Sequence, residues 1–177
     1  MVVTQNSDES VTVRLLTPGD AHEYRQLRLE ALRSSPTAFG SSYEDELARD
    51  PAVTRERIAP TETTRVFGAF RGDRLVGTVG LRRHTGQKER HKAFVWGVYV
   101  TPGERGRGIA RQLMAAVLGE ARTLPGLARV TIAVNAANEP ARRLYETLGF
   151  EAYGLEPDAL RVDGESLEEL WMTLALT

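Results

Sequence analysis

The sequence predicts an α/β chain of the α+β kind: a mixed, mostly antiparallel twisted sheet of about seven strands with helices on both faces. Three observations carry this expectation. Short apolar or alternating runs recur along the chain, separated by Gly, Pro and Asp turn signals. The segments 20–33 and 108–124 repeat their apolar residues at helical spacing. A strand, a helix and a strand follow one another between Lys92 and Val134, an order that favours a right-handed crossover joining parallel strands.

In chain order, Met1 to Ser10 is polar and reads as a flexible tail, leaving 11–177 as a single domain. Val11 to Leu16 alternates as a strand. Thr17-Pro18-Gly19-Asp20 then supplies cap chemistry for a helix to about Arg33, with Tyr24, Leu27, Ala31 and Leu32 on its buried face. Ser34-Ser35-Pro36 stops it. Residues 37–60, interrupted by Pro51, read as loop with one or two short helices. Val66 to Phe70, Leu75 to Leu81 and Lys92 to Val100 form a meander, the first turn lying at Gly72-Asp73. The second long helix places Ile109, Leu113, Ala116, Val117 and Ala121 in one stripe and ends at Pro125-Gly126. A strand at Val130 to Val134, a helix from about Glu139 to Leu148 and a hairpin turning at Asp163-Gly164 complete the chain.

Composition narrows the function classes. With 41% apolar and 27% charged residues and a net charge of -1, the 177-residue chain has the makings of a core and no global field that selects nucleic acid. Arginines at 71, 74, 82, 83, 105, 107 and 111 form a local cationic patch without nearby acids. The absence of cysteine excludes disulfides, thiolate metal sites and a covalent Cys intermediate. No run of about 18 apolar residues occurs, so the expectation is a cytoplasmic protein without a membrane partner.

The stretch that carries chemistry is Val98-Tyr99-Val100-Thr101-Pro102-Gly103-Glu104-Arg105-Gly106-Arg107-Gly108-Ile109-Ala110. A strand runs through a glycine- and arginine-rich turn directly into a helix. The first amides of a helix lack internal partners and lie at the positive end of its dipole, which makes an anion site. Gly106 and Gly108 let backbone approach the anion closely, and Arg105 and Arg107 suit phosphate. A P-loop is excluded because Gly108 is followed by Ile109 and Ala110, and no G-x-G-x-x-G fingerprint is present. A phosphate-bearing carrier remains.

These residues resemble the GNAT superfamily of Gcn5-related N-acetyltransferases, whose motif Arg/Gln-x-x-Gly-x-Gly/Ala stands here as Arg105-x-x-Gly108-x-Ala110. A second match, Asn135 through Asn138, then Leu144-Tyr145 and Gly149-Phe150, lies downstream in the family's order. The looser resemblance runs from about Val11 to Leu176. It implies acetyl-CoA (coenzyme A) as cofactor, without a metal. Its pantetheine arm would lie along Val98, Tyr99 and Val100, splayed from the neighbouring strand. Its pyrophosphate would sit on the amides of Arg105, Gly106, Arg107, Gly108, Ile109 and Ala110. Asn138 would contact it, and Tyr145 would stand near the sulfur as the catalytic acid. A phenol can protonate a departing thiolate.

The implied reaction is direct attack by a primary amine of a small molecule or peptide, in a ternary complex. Such a reaction needs a neutral amine, alignment and oxyanion stabilisation. The resemblance assigns the last to an amide near Val98. The family's frequent strand Glu is absent from Ala93 to Val100. His91, seven residues from Val98, is roughly 23 Å away along a strand. Glu44, Asp45 and Glu46 read as a solvated face, with the alternative that they fold over the acceptor. Trp96 is expected on the same strand face as Phe94 and Val98. The missing carboxylate also keeps open a non-catalytic acetyl-CoA-binding sensor. Nucleic-acid binding through the Arg-rich turn is disfavoured by the acidic stretches. The last strand can pair across a homodimer.

Overall fold

The computed structural model describes residues 10–176, so the expected tail lies outside the described residues except for Ser10. The chain forms β1 (Val11–Leu15), α1 (Ala21–Ser34), α2 (Tyr43–Ala48), α3 (Pro51–Ile58), β2 (Thr64–Arg71), β3 (Arg74–Arg83), β4 (Lys92–Val100), α4 (Ile109–Thr123), β5 (Arg129–Asn135), α5 (Glu139–Thr147), β6 (Glu151–Val162) and β7 (Glu165–Ala175). The strands make one sheet in the order β1-β2-β3-β4-β5-β7-β6. Every neighbouring pair is antiparallel except β4 with β5. The expected mixed, mostly antiparallel sheet is the one observed.

Its two faces carry different cores. On one, α4 buries Ile109, Leu113, Met114, Val117, Leu118 and Ala121 against Val76, Val79, Val95, Val130 and Ile132, and Tyr145 of α5 joins them. On the other, Tyr24, Leu27, Ala31 and Leu32 of α1 and Ile58 of α3 cover Leu16, Val66, Phe70, Leu75 and Tyr99. Each large side chain so buried contributes roughly 1.5–3 kcal/mol. Met114 and Leu118 widen the α4 stripe, whereas Ala116 is only half-buried.

Residues 37–60 hold two short helices joined by loop, as expected. Pro51 opens α3 instead of interrupting the chain, because the first helical position needs no amide donor and Asp50 caps the turn by accepting from Ala52 N at 2.8 Å. Chain reversal at Asp163-Gly164 uses positive φ at both residues, 52° and 83°, the conformation a two-residue hairpin of this twist requires.

At the start of α1, the Asp20 carboxylate accepts from the Thr17 amide at 2.8 Å, the Thr17 hydroxyl at 3.0 Å and the Arg14 guanidinium at 2.6 and 3.0 Å. Hydrogen bonding from Arg14, foremost, holds the Asp20 carboxyl down to about 2. Because the folded value lies below the unfolded one, this stabilisation is present above about pH 4 and disappears as the pH falls through about 2. Asp20→Asn should therefore lower stability by about 1 kcal/mol at pH 7. Urea unfolding should show the gap closing between pH 4 and pH 2; a gap independent of pH would contradict the assignment.

Candidate functional site

The site begins where two strands part. β4 and β5 are paired only at Lys92 with Arg129, Ala93 with Val130 and Phe94 with Thr131, although β4 continues to Val100 and β5 to Asn135. The cause is an extra residue in β4. Against β3, Trp96 lies opposite Gly80 and Tyr99 opposite Thr78, so three steps on β4 match two on β3. Gly97 takes φ 64° at this bulge, and bulges bend a strand and increase its twist.

The bulge also reverses the side-chain alternation. Ala93, Val95, Val98 and Val100 pack on the α4 side, while Trp96 and Tyr99 pack on the α1 side. The expected shared face of Trp96 and Val98 is thus wrong, since strict alternation does not survive an inserted residue. Trp96 instead lies across Gly80, where a Cβ would sit 2.3 Å from its ring.

Past Val100 the chain makes a 3-10 turn at Pro102–Glu104 and reaches α4 through Gly106 and Gly108, with φ of 75° and 77°. The Arg105 amide donates to Pro102 O at 3.3 Å, whereas the amides of residues 106–111 have no acceptor among the described residues. The free run is therefore shifted by one residue from the expected 105–110. A Cβ on Gly106 or Gly108 would meet nothing within 4 Å. Backbone conformation requires these glycines, and the space above them is open. Ile109 is buried beneath the turn and Ala110 half-buried.

The arginines divide their work. Arg105 donates from Nε to Val100 O at 2.9 Å and from its terminal nitrogen to Ser35 Oγ at 3.3 Å, and its guanidinium lies 5.5 Å from the Tyr99 ring centroid. It braces the end of β4 against the end of α1. Arg71 makes a two-pronged pair with Glu104 at 3.0 and 2.7 Å, and Arg107 approaches the same carboxylate at 3.8 Å. These pairs correct the picture of an unbalanced cationic patch. Arg107 nevertheless remains 53% exposed beside the open amides.

Tyr145 is 5% exposed, between Phe150, at 6.0 Å between ring centroids, and the α4-side core. Its hydroxyl has no hydrogen-bond partner among the described residues and keeps contact with solvent. Burial pushes its phenol up, so it is a proton donor at neutral pH. Asn138 caps α5, its Oδ1 accepting from Ala141 N at 3.2 Å. Gly149, at φ 91°, ends that helix.

On the α1 face, Tyr99 donates to Glu30 Oε1 at 3.0 Å and shares a 2.8 Å hydrogen bond with Ser34 Oγ; Thr101 donates to the same Glu30 oxygen. The side chain of Tyr99 thus points away from α4. Asn135 Nδ2 donates to Thr37 O at 3.2 Å, fastening the turn after α1 over the end of β5. Trp171 packs 5.8 Å from the Phe94 ring and donates to Glu156 at 2.9 Å.

Of the acids weighed as a base, Glu44 and Asp45 are exposed on α2, but Glu46 is only 1% exposed. Both its oxygens accept from Arg57 at 3.0 Å, with Arg28 and Arg49 each at 3.9 Å. Three guanidiniums pull it out of the expected solvated face. His91 is exposed at the far end of β4, where its carbonyl accepts from Ala128 and Arg129. Glu30, Glu156 and Glu169 were missed in the sequence, and Asn135, quoted there in the second motif, was given no role. Alternation along β7, with Glu169, Trp171 and Thr173 against Leu170, Met172 and Leu174, is the signal that marks two of these strands' inner polar positions.

Among the described residues no group of His, Asp and Glu side chains is placed to hold a metal ion. No helix there is long and apolar enough to cross a membrane.

The parted parallel pair thus has an open edge that leads directly into helix-terminal amides without an acceptor among the described residues. Residues 25–150 match the acetyltransferase (GNAT) family, and the chain belongs to that family. It is 31% identical over 156 residues to the N-alpha-acetyltransferase RimI of Mycobacterium tuberculosis, covering 88% of each chain. It is 38% identical over 86 residues to a mycothiol acetyltransferase of Brachybacterium faecium, covering 49% of this chain. The chain spans only 26% of that protein's length, and 37% of the length of an uncharacterised Mycobacterium leprae relative. Its fold matches the Salmonella typhimurium protein yncA, a structure with its cofactor acetyl-CoA, at a TM-score of 0.80 and 20% identity over 95% of both chains.

Glu46→Gln should lower stability by about 3 kcal/mol, because it leaves buried guanidinium charge uncompensated. Turnover per folded molecule should be unchanged. Chemical denaturation with an activity assay checks both, and a rate loss without a stability loss would restore Glu46 as a base.

Proposed function

We propose that the chain transfers an acetyl group from acetyl-CoA to a primary amine by direct attack while both are bound. The observation that carries this reading is the unpaired edge of β4 running straight into the open amides 106–111. An extended arm bearing amide groups can pair with that edge as a strand would, and a pyrophosphate suits amides at the positive end of α4. Arg107 adds an exposed cation at the same place. When bound, the cofactor supplies an acetyl thioester.

The chain's own groups then have distinct tasks. The edge amides near Val98 orient the acyl group and donate to its oxygen. Tyr145, protonated and unpartnered, donates to the sulfur that leaves, and the proton released by the attacking amine passes through water to restore the phenol. The amine enters from the α1 face, since α4 and α5 close the other. There the turn at residues 36–38, held by Asn135, forms the rim. Relatives named for N-alpha-acetyl and mycothiol acetyl transfer support an acceptor drawn from peptides or small molecules.

Calorimetric titration should give micromolar acetyl-CoA binding to the natural chain and none to Gly108→Trp with its circular dichroism preserved. No binding by the natural chain would remove this reading; binding without acetylation of any amine in a broad screen would make the chain a sensor. Tyr145→Phe should lower kcat about 100-fold with acetyl-CoA affinity little changed. Because burial keeps the phenol protonated, the natural chain's rate should show no alkaline loss from Tyr145 below pH 10.

A further inference from the structure

Gly97 and Val98 have no register partner on either strand beside β4. Pairing with β5 ends at Phe94, and pairing with β3 passes from Trp96 opposite Gly80 to Tyr99 opposite Thr78. The direction of a peptide held by neither neighbour is set by whatever fixes its flanks. Before the bulge, the Trp96 ring lies across Gly80, too close to leave room for a Cβ. After it, Tyr99 is 4% exposed, with its ring 6.2 Å from that of Phe39 and 5.5 Å from the Arg105 guanidinium.

The polar end of Tyr99 is fixed by α1. Its hydroxyl donates to Glu30 Oε1 at 3.0 Å and lies 2.8 Å from Ser34 Oγ. Thr101, buried on the other side of Val100, donates to the same Glu30 oxygen, and its amide donates to Val76 O at 2.9 Å. One carboxylate oxygen therefore takes donors from both flanks of Val100, and bonds of this charge-assisted kind are roughly twice as strong as neutral ones. The clamp is not what seats the helix. Tyr24, Leu27, Ala31 and Leu32 already bury α1 against the sheet, whereas Glu30 stands on its exposed side. What the carboxylate adds is a fixed Tyr99, immediately after the unpaired residues.

We propose that Glu30 is a positioning residue for acetyl transfer: by clamping Tyr99 and Thr101 it sets the direction of the Val98 amide, the donor assigned to the acyl oxygen. The inference rests on the acetyl-transfer reading for that donor. An amide aimed at an oxygen that gains charge acts mainly in the transition state, so a small turn of its peptide plane costs rate more than binding. Glu30 works through Tyr99, whose side chain points away from α4 and the cofactor edge. The role requires an acceptor oxygen rather than a charge, and a glutamine supplies one.

The test compares Glu30→Ala, Glu30→Gln and Tyr99→Phe with the natural chain, each with its circular dichroism preserved. Glu30→Ala should lower kcat about tenfold while the calorimetric dissociation constant of acetyl-CoA changes by less than about threefold. Glu30→Gln should restore kcat to within about threefold of the natural chain. Tyr99→Phe should fall by a factor similar to Glu30→Ala, and the double variant should be no slower than either, because the two act as one unit. In the chain without cofactor, nuclear magnetic resonance should show the amide signals of Gly97 and Val98 displaced in Glu30→Ala and those of Lys92 to Phe94 unmoved. Glu30→Gln as slow as Glu30→Ala would make the charge the requirement and overturn the proposal. Equal kcat in the natural chain and Glu30→Ala, or unmoved signals at residues 97 and 98, would overturn it as well and leave the transfer reading intact. Displaced signals in a chain that neither binds acetyl-CoA nor transfers acetyl would retain the clamp and remove the transfer reading instead.

Discussion

Two strands that start as a parallel pair and then part govern everything else in this molecule. Pairing stops after Phe94 and Thr131 because β4 must accommodate Gly97, and a bulged strand bends away from a regular neighbour. Backbone donors and acceptors along β4 are thereby left without a strand in the middle of a sheet. Such groups are costly to bury unpaired, so a feature of this kind persists where a ligand or water completes it. The bulge also sorts side chains, sending Val98 and Val100 toward α4 and Tyr99 toward α1. The slot consequently has two chemically different sides.

Those sides divide the labour. On the α4 side lie the open amides, the exposed Arg107 and the largely buried phenol of Tyr145. On the α1 side lie hydroxyls, Asn135 and carboxylates. Arg105 holds the two together, bonding the last carbonyl of β4 and the hydroxyl of Ser35 at the end of α1. A guanidinium suits this post because its donors diverge in a rigid plane, which a lysine does not reproduce. The motif arginine braces the slot.

The elements were legible where a single period operates. The stripes of α1 and α4, the turns at Gly72 and Asp163-Gly164, and the parallel relation of β4 and β5 follow from local patterns and turn chemistry. The open amides at the start of α4 were legible, one residue out of place, because glycine spacing and a helix start coincide in sequence. What was not legible depended on distant partners. Glu46 looks like one acid among three until Arg28, Arg49 and Arg57 converge on it from α1, the α2–α3 link and α3. Gly97 looks like an ordinary strand residue until its φ is known, and the error over Trp96 and Val98 followed from it. That Glu156 stands opposite Glu169 depends on the register of β6 and β7, which local sequence does not specify.

The most direct measurement of the account is a map of backbone amide chemical shifts as coenzyme A is added to the chain. The account predicts the largest changes at residues 106–111, continuing along β4 from Val98 to Val100, with Tyr145 affected and the outer turn of β2 and β3 silent. Changes centred on the groove outside α1, near Gln26, Arg33 and Tyr43, with residues 98–111 unmoved, would contradict it.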